Sequence, residues 1–145
     1  MPAVPFETTL HVRDTCLCLH TQRAARRLAR RFDEAMRPFG LTSGQFSLLM
    51  SLNRPLPPRM GAVAELLAMD RTTLTAALKP LERRGLVQVS QDPADRRSRL
   101  LSPTAAGLAT LASAVPIWRR MHAELDALLP DGDPDALRRG LAALG

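Results

Sequence analysis

The stretch Ala62–Leu101, AVAELLAMDRTTLTAALKPLERRGLVQVSQDPADRRSRLL, changes its hydrophobic period once, and that change decides the fold. Before Gly85 the apolar residues recur at helical spacing. Ala62, Val63, Leu66 and Leu67 make one short stripe, and Leu74, Ala77, Leu78 and Leu81 make a second. Ala68-Met69-Asp70 is the turn between them, with Asp70 placed to cap the second helix. Gly85, just after Arg83 and Arg84, supplies a helix stop. Pro80 removes one bond near the end of the second helix and predicts a local kink there. Beyond Gly85 the period becomes two. Leu86-Val87-Gln88-Val89-Ser90 alternates as a strand does, Arg99-Leu100-Leu101 is its partner, and Gln91–Ser98 is a polar loop between them. Two close helices followed by a hairpin with a basic tip make a winged helix-turn-helix.

Outward from this unit the pattern is helical on both sides. The first dozen residues, with Pro2 and Pro5, are expected to form an irregular arm. From about Arg13 to Phe39, the residues Leu17, Ala24, Leu28, Phe32, Ala35 and Phe39 form one stripe of a single helix, ended by Pro38 and Gly40. Arg23, Arg26, Arg27, Arg30 and Arg31 fall mostly off that stripe, as a solvated face. Thr42 and Gln45 have the spacing of a capping box ahead of Phe46, Leu49 and Met50. Arg54-Pro55-Leu56-Pro57-Pro58 breaks that helix. After the hairpin, Ser102 and Pro103 are read as the cap and first residue of a long helix through Leu108, Leu111, Val115, Trp118, Leu125 and Leu129, kinked at Pro116. Asp133-Pro134 repeats that start signal for a last helix.

The expected fold is therefore mainly α with a small β-hairpin wing. One winged-helix domain spans residues 1–145, with a DNA-binding core over about 41–102 and a helical dimerisation region over about 10–40 and 103–145. The terminal helices carry apolar stripes that a domain this small cannot bury internally, and surface of that kind marks a partner. A homodimer follows. A twofold pair would set two readers about one DNA turn apart, ~34 Å, and implies a near-palindromic double-stranded operator.

The composition supports this reading. The net charge is +6, and Lys79 is the single lysine among the basic residues. Arginine suits phosphate because its planar fork makes two parallel hydrogen bonds. No apolar run approaches the ~20 residues that span a bilayer, and no secretory signal pattern opens the chain, so a cytoplasmic protein without a membrane partner is expected. The only histidines are His11, His20 and His122, and neither a glycine-rich phosphate loop nor a nucleophile motif is present. That argues against an enzyme and gives no reason to expect a cofactor.

Arg71, Thr72, Thr73, Thr75 and Lys79 lie off the buried stripe of the second helix of the pair, where a major-groove reader needs them. Threonines are poor helix formers, so three of them near a helix start favour contact with DNA over a plain surface. Asp95, Arg96 and Arg97 place cations at the hairpin tip, suited to the negative potential of an adjacent minor groove. Asp95 is positioned to hold Arg97 extended through an ion pair.

At this point the chain resembles a known family. Asp70-Arg71-Thr72-Thr73-Leu74, Leu81-Glu82-Arg83-Arg84-Gly85-Leu86-Val87, Asp92-Pro93-Ala94-Asp95-Arg96-Arg97-Ser98 and Leu101-Ser102-Pro103-Thr104-Ala105-Ala106-Gly107 are similar to the core of MarR-type regulators. The resemblance implies a homodimer whose first and last two helices interlock, recognition helices in successive major grooves, and wing arginines in the flanking minor grooves. It makes Arg97 the minor-groove residue and implies repression relieved by a small aromatic or phenolic effector. The proline-rich lead into the third helix departs from the family pattern, since it lacks a polar cap.

Cys16-Leu17-Cys18-Leu19-His20 is the one candidate sensor. On a helix Cys16 and His20 share a face and Cys18 points elsewhere, so the three do not converge on one metal ion. The string is similar to the region around the reactive cysteine of peroxide-sensing members of that family, with Cys16 at the matching position. A thiol-based repressor using Cys16 is thus an alternative to release by a ligand. Those sensors support the cysteine with tyrosines, and this chain has none. A winged helix that binds another protein, or DNA without sequence preference, is the remaining alternative.

Overall fold

The computed structural model describes residues 3–145. Its elements run α1 (Phe6–Thr15), α2 (Leu17–Met36), a 3₁₀ turn at Arg37–Phe39, α3 (Ser43–Leu52), α4 (Met60–Leu66), α5 (Arg71–Arg83), β1 (Val87–Asp92), β2 (Asp95–Pro103), α6 (Ala105–Ala127) and α7 (Pro134–Ala143). The expected mainly helical fold with one antiparallel hairpin is what forms.

The N-terminal region differs from the sequence expectation. Where an irregular arm is expected, α1 begins at Phe6 directly after Pro5, with Glu7 complementing its N-terminal dipole. Pro2 lies outside the described residues. Nor is the region from Arg13 to Phe39 one helix. Cys16 is extended (φ −68°, ψ 110°) and ends α1 while capping α2, its Sγ accepting from the Leu19 N–H at 3.5 Å. Every residue of the expected apolar stripe, from Leu17 onward, lies beyond that break, so its periodicity carries no information about it.

The capping box at the start of α3 is present in both directions. The Gln45 N–H donates to Thr42 Oγ1 (3.1 Å), and the Thr42 N–H donates to Gln45 Oε1 (3.1 Å). Thr42→Ala is expected to cost about 1 kcal/mol, a fall of roughly 3 °C in thermal midpoint, read by circular dichroism melting. The core lies beneath this helix, where Met36, Leu48, Leu49, Leu52, Val63, Leu74, Leu78, Leu81 and Leu101 are fully buried. Leu111 and Ala114 of α6 close it from the other side.

Two sequence signals are displaced. The long α6 starts later than Ser102-Pro103 suggests, because both residues remain in β2, paired with Gln88 and Val87. Thr104 is the cap: its hydroxyl accepts from the Gly107 N–H (3.1 Å) and donates to the Gly85 carbonyl (2.6 Å). The hairpin loop is also shorter than Gln91–Ser98. Strand pairing reaches Asp92 and Asp95, leaving Pro93-Ala94 as the turn. Asp92 and Asp95 permit this by accepting the Ala94 and Arg97 backbone N–H groups at 2.9 and 3.0 Å. Helix α5 runs continuously through Pro80, and α6 through Pro116.

The proline-rich lead joins the hairpin. The Leu101 N–H donates to the Pro58 carbonyl (3.0 Å), and Arg59 pairs antiparallel with Leu100. These few residues flank β2 and fasten the wing to the start of α4.

Candidate nucleic-acid interface

Helices α4 and α5 are the expected pair, joined through Ala68 in left-handed conformation (φ 53°). Asp70 caps α5 by accepting the Thr73 N–H at 2.7 Å. That bond, with a second from the Thr73 side chain, holds the Asp70 carboxyl below its ordinary pKa. Leu74, Leu78 and Leu81 anchor α5 in the core, leaving Arg71, Thr72, Thr73, Thr75, Ala76 and Lys79 exposed. Four of the five predicted helix residues, Arg71, Thr72, Thr75 and Lys79, line one open cleft of about 330 Å³ together with Ala76. Thr73 is exposed outside it. The Thr75 hydroxyl is turned back on its own helix, donating to the Arg71 carbonyl (2.8 Å).

The wing side chains sort by strand alternation. Arg97 and Arg99 share a face and line a cavity of about 320 Å³ with Arg59, Gly61, Glu65 and Arg71. Arg96 lies outside that lining. Its carbonyl accepts from Gln91 Nε2 (2.9 Å) and braces the tip. Asp95 behaves differently from the expectation. It makes no ion pair with the Arg97 guanidinium among the described residues. Its Oδ1 instead accepts the Arg97 backbone N–H (3.0 Å), and its Oδ2 accepts the Ser98 hydroxyl (3.0 Å). Arg97 lies in the stretch Arg96–Ser98, which has no partner in the strand register, and the carboxylate holds that stretch through its backbone and the Ser98 hydroxyl. These bonds, the Arg97 N–H first and then the Ser98 hydroxyl, lower the Asp95 pKa, with a smaller contribution from the nearby Arg59 charge. A depressed carboxyl favours the folded tip at pH above its ordinary value, and that advantage is lost as pH falls from there through the lowered value of the folded tip.

Arg71 and Arg97, far apart in sequence, thus face one concavity. The Arg71 guanidinium reaches back over α4, where a Cβ on Gly61 would lie 3.2 Å from its Nη2. Arg59, Gly61 and Arg99 are site residues that the sequence reading missed. Arg99 was signalled by its place two residues from Arg97 on a strand. Arg59 had only the weak signal of a cation following a proline run.

Cys16 is half-buried and Cys18 exposed, both as free thiols. His20 Nδ1 donates to the Cys16 carbonyl (2.8 Å), while Cys18 Sγ accepts from Gln22 Nε2 (3.3 Å). The two thiols therefore have different neighbours, one at the helix junction and one along α2.

A helix pair with an exposed second helix, flanked by an arginine-bearing hairpin on the same concavity, defines a winged-helix DNA-binding protein. The model of the MarR family matches residues 41–98. Among curated proteins, the HTH-type transcriptional repressor NicR of Pseudomonas putida is 35% identical over 81 residues, which cover 56% of this chain and 51% of NicR. The match thus spans about half the length of such relatives. Among solved structures, the Mycobacterium tuberculosis transcriptional regulator MosR in complex with DNA superposes with a TM-score of 0.82 at 41% identity, covering 90% of this chain and 93% of that one. The repressor CouR bound to a 23-mer DNA duplex superposes with a TM-score of 0.81 at 34% identity, covering 92% and 94%. CouR bound to p-coumaroyl-CoA gives 0.77 at 32% identity, covering 88% and 90%. The chain belongs to the MarR family. It is a DNA-binding transcriptional regulator and not an enzyme. No helix among the described residues is long and apolar enough to cross a membrane.

Proposed function

We propose that the protein is a homodimeric repressor that binds a near-palindromic operator and is released by a small aromatic effector. The carrying observation is the cavity shared by Arg71 at the start of α5 and Arg97 on the wing, with Glu65 the one acid in its lining. In this reading α5 enters the major groove with Arg71, Thr72, Thr73, Thr75 and Lys79. Arg71 contacts guanine or phosphate, and the threonine methyls meet thymine. Arg97 enters the adjacent minor groove, and Asp95 and Arg96 keep the tip in shape.

The dimer is supported by α1 and α7, neither of which has a buried residue. Phe6, Val12 and Leu17 near one end, and Leu137, Leu141 and Leu144 near the other, are exposed apolar side chains. Pairing these helices across a twofold axis would remove that surface from water. The effector is supported by a second cavity of about 170 Å³ between α2, α3 and α6, lined by Phe32, Met36, Phe46, Trp118 and His122. Ser43 and Ser47 complete a lining that carries a run of rings: Trp118 and His122 lie 4.3 Å apart and Phe46 and Trp118 6.3 Å. A planar ligand there would wedge the long helices from α3 and so change the spacing of the two readers. CouR bound to p-coumaroyl-CoA is a neighbour holding an aromatic acyl ligand.

The test is a salt titration of binding to a duplex selected by the protein from a random library, beside an unselected duplex. Affinity for the selected site is expected to exceed the other by ~10³ or more, with both falling steeply as salt rises. Equal affinity for the two duplexes would remove the sequence-specific reading.

A further inference from the structure

The wing is held from below as well as by its own strands. Arg59 sits at the cap position of α4, where no side chain makes a capping hydrogen bond. Its guanidinium is committed elsewhere: Arg59 Nη2 meets Asp92 Oδ2 at 2.7 Å. Asp92 is one of only two buried polar or charged residues among those described, and it stands at the irregularity in strand register between Gln91 and Asp92. Its other oxygen, Oδ1, accepts the Ala94 N–H in the tip turn. One carboxylate therefore joins two things, the turn that carries the wing tip and a cation on the helix-turn-helix. The Arg59 backbone repeats the connection through its pairing with Leu100. The Arg59 charge is also felt at Asp95, which organises the Arg97 amide.

We infer that Arg59 is a positioning residue for the wing: through Asp92 it sets where Arg97 stands relative to α5, so that both reach adjacent grooves of one duplex. This rests on the reading of Arg97 as a DNA-contacting residue. The physical reason for the ion pair is the burial of Asp92, because a polar group withdrawn from water is costly unless partners replace the lost solvent. Without Arg59 the Asp92 Oδ2 loses its partner and turns toward solvent, and the tip turn held by Oδ1 shifts with it.

The discriminating experiment is a double-mutant cycle on affinity for the selected duplex, using full-length Arg59→Ala, Arg97→Ala and the double variant. Arg59→Ala is expected to weaken binding about tenfold in the native background and not at all in the Arg97→Ala background. Asp92→Asn, which removes charge with little change of shape, should behave as Arg59→Ala does. Arg59→Lys, which keeps a cation for Asp92, should recover most of the affinity. If the losses from Arg59→Ala and Arg97→Ala instead multiply, Arg59 grips DNA by itself and the inference fails. If Arg97→Ala weakens binding while Arg59→Ala and Asp92→Asn do not, the inference alone fails. If Arg97→Ala has no effect, the reading of the wing fails and takes this inference with it. Should Arg59→Ala melt before the assay temperature, the comparison of Asp92→Asn with Arg59→Lys decides the same question.

Discussion

Arg97→Ala is expected to weaken operator binding by tenfold to a hundredfold while leaving the protein folded. The side chain is exposed and makes no ion pair among the described residues, and substitutions at such sites change stability by less than about 0.5 kcal/mol. Its loss would be felt on DNA, where a dimer presents two copies. Each contact of this type is worth on the order of 1 kcal/mol or more, so two give roughly a tenfold to hundredfold change. Salt dependence supplies a second readout. Removing one cation per protomer should lower the slope of log affinity against log salt by about two units for the dimer, at ~0.9 per charge. Arg97→Lys separates charge from shape, and is expected to restore the slope but only part of the affinity. Fluorescence anisotropy across a salt series measures all three proteins. Unchanged affinity and slope in Arg97→Ala would end the minor-groove reading.

Gly107→Ala is expected to destabilise the fold by about 3 kcal/mol, at the upper end of the range for overpacking. Gly107 is buried in the first turn of α6, pressed against the end of the helix-turn-helix. A Cβ there would collide with the Leu86 carbonyl oxygen and lie 3.0 Å from its carbonyl carbon. Neither atom can yield cheaply, since the Leu86 carbonyl also accepts the Thr104 N–H (3.0 Å). The gain in helix propensity from glycine to alanine, about 1 kcal/mol, opposes the clash and is smaller. A fall of roughly 10 °C in thermal midpoint follows. Gly44→Ala in α3 is the control, because it is exposed and the added Cβ meets only Thr42 Oγ1, at an ordinary 3.9 Å. It should raise the midpoint slightly. Equal effects at the two positions would show that the close approach at Gly107 relaxes without cost.

Both residues stand where the chain was most legible. A change from period 3.6 to period 2 at Gly85, and a cation-bearing turn beyond it, define a helix-turn-helix with a wing before any contact is known. Caps at Thr42, Asp70 and Asp133 were readable for the same reason, since a cap is a bond between residues three apart. The misplaced boundaries are those where a local signal met a tertiary one. Ser102-Pro103 has the form of a helix start, yet pairing with β1 holds both residues in the strand and moves the cap to Thr104. The break at Cys16 left no mark on periodicity, because the apolar stripe that was read begins only at Leu17, after it.

By itself the sequence determined the order and type of nearly all the elements, the aliphatic core and the list of cations available to DNA. It did so because these depend on spacings within a few residues. Only the tertiary structure decided which cations act together. It put Arg59, Arg71, Arg97 and Arg99 around one concavity and left Arg96 outside it. It also gave Asp92 to Arg59, a partner 33 residues away, and turned Asp95 to the backbone. Such pairings follow from how the hairpin lies against α4, and that is fixed by packing and long-range backbone bonds that no local spacing encodes.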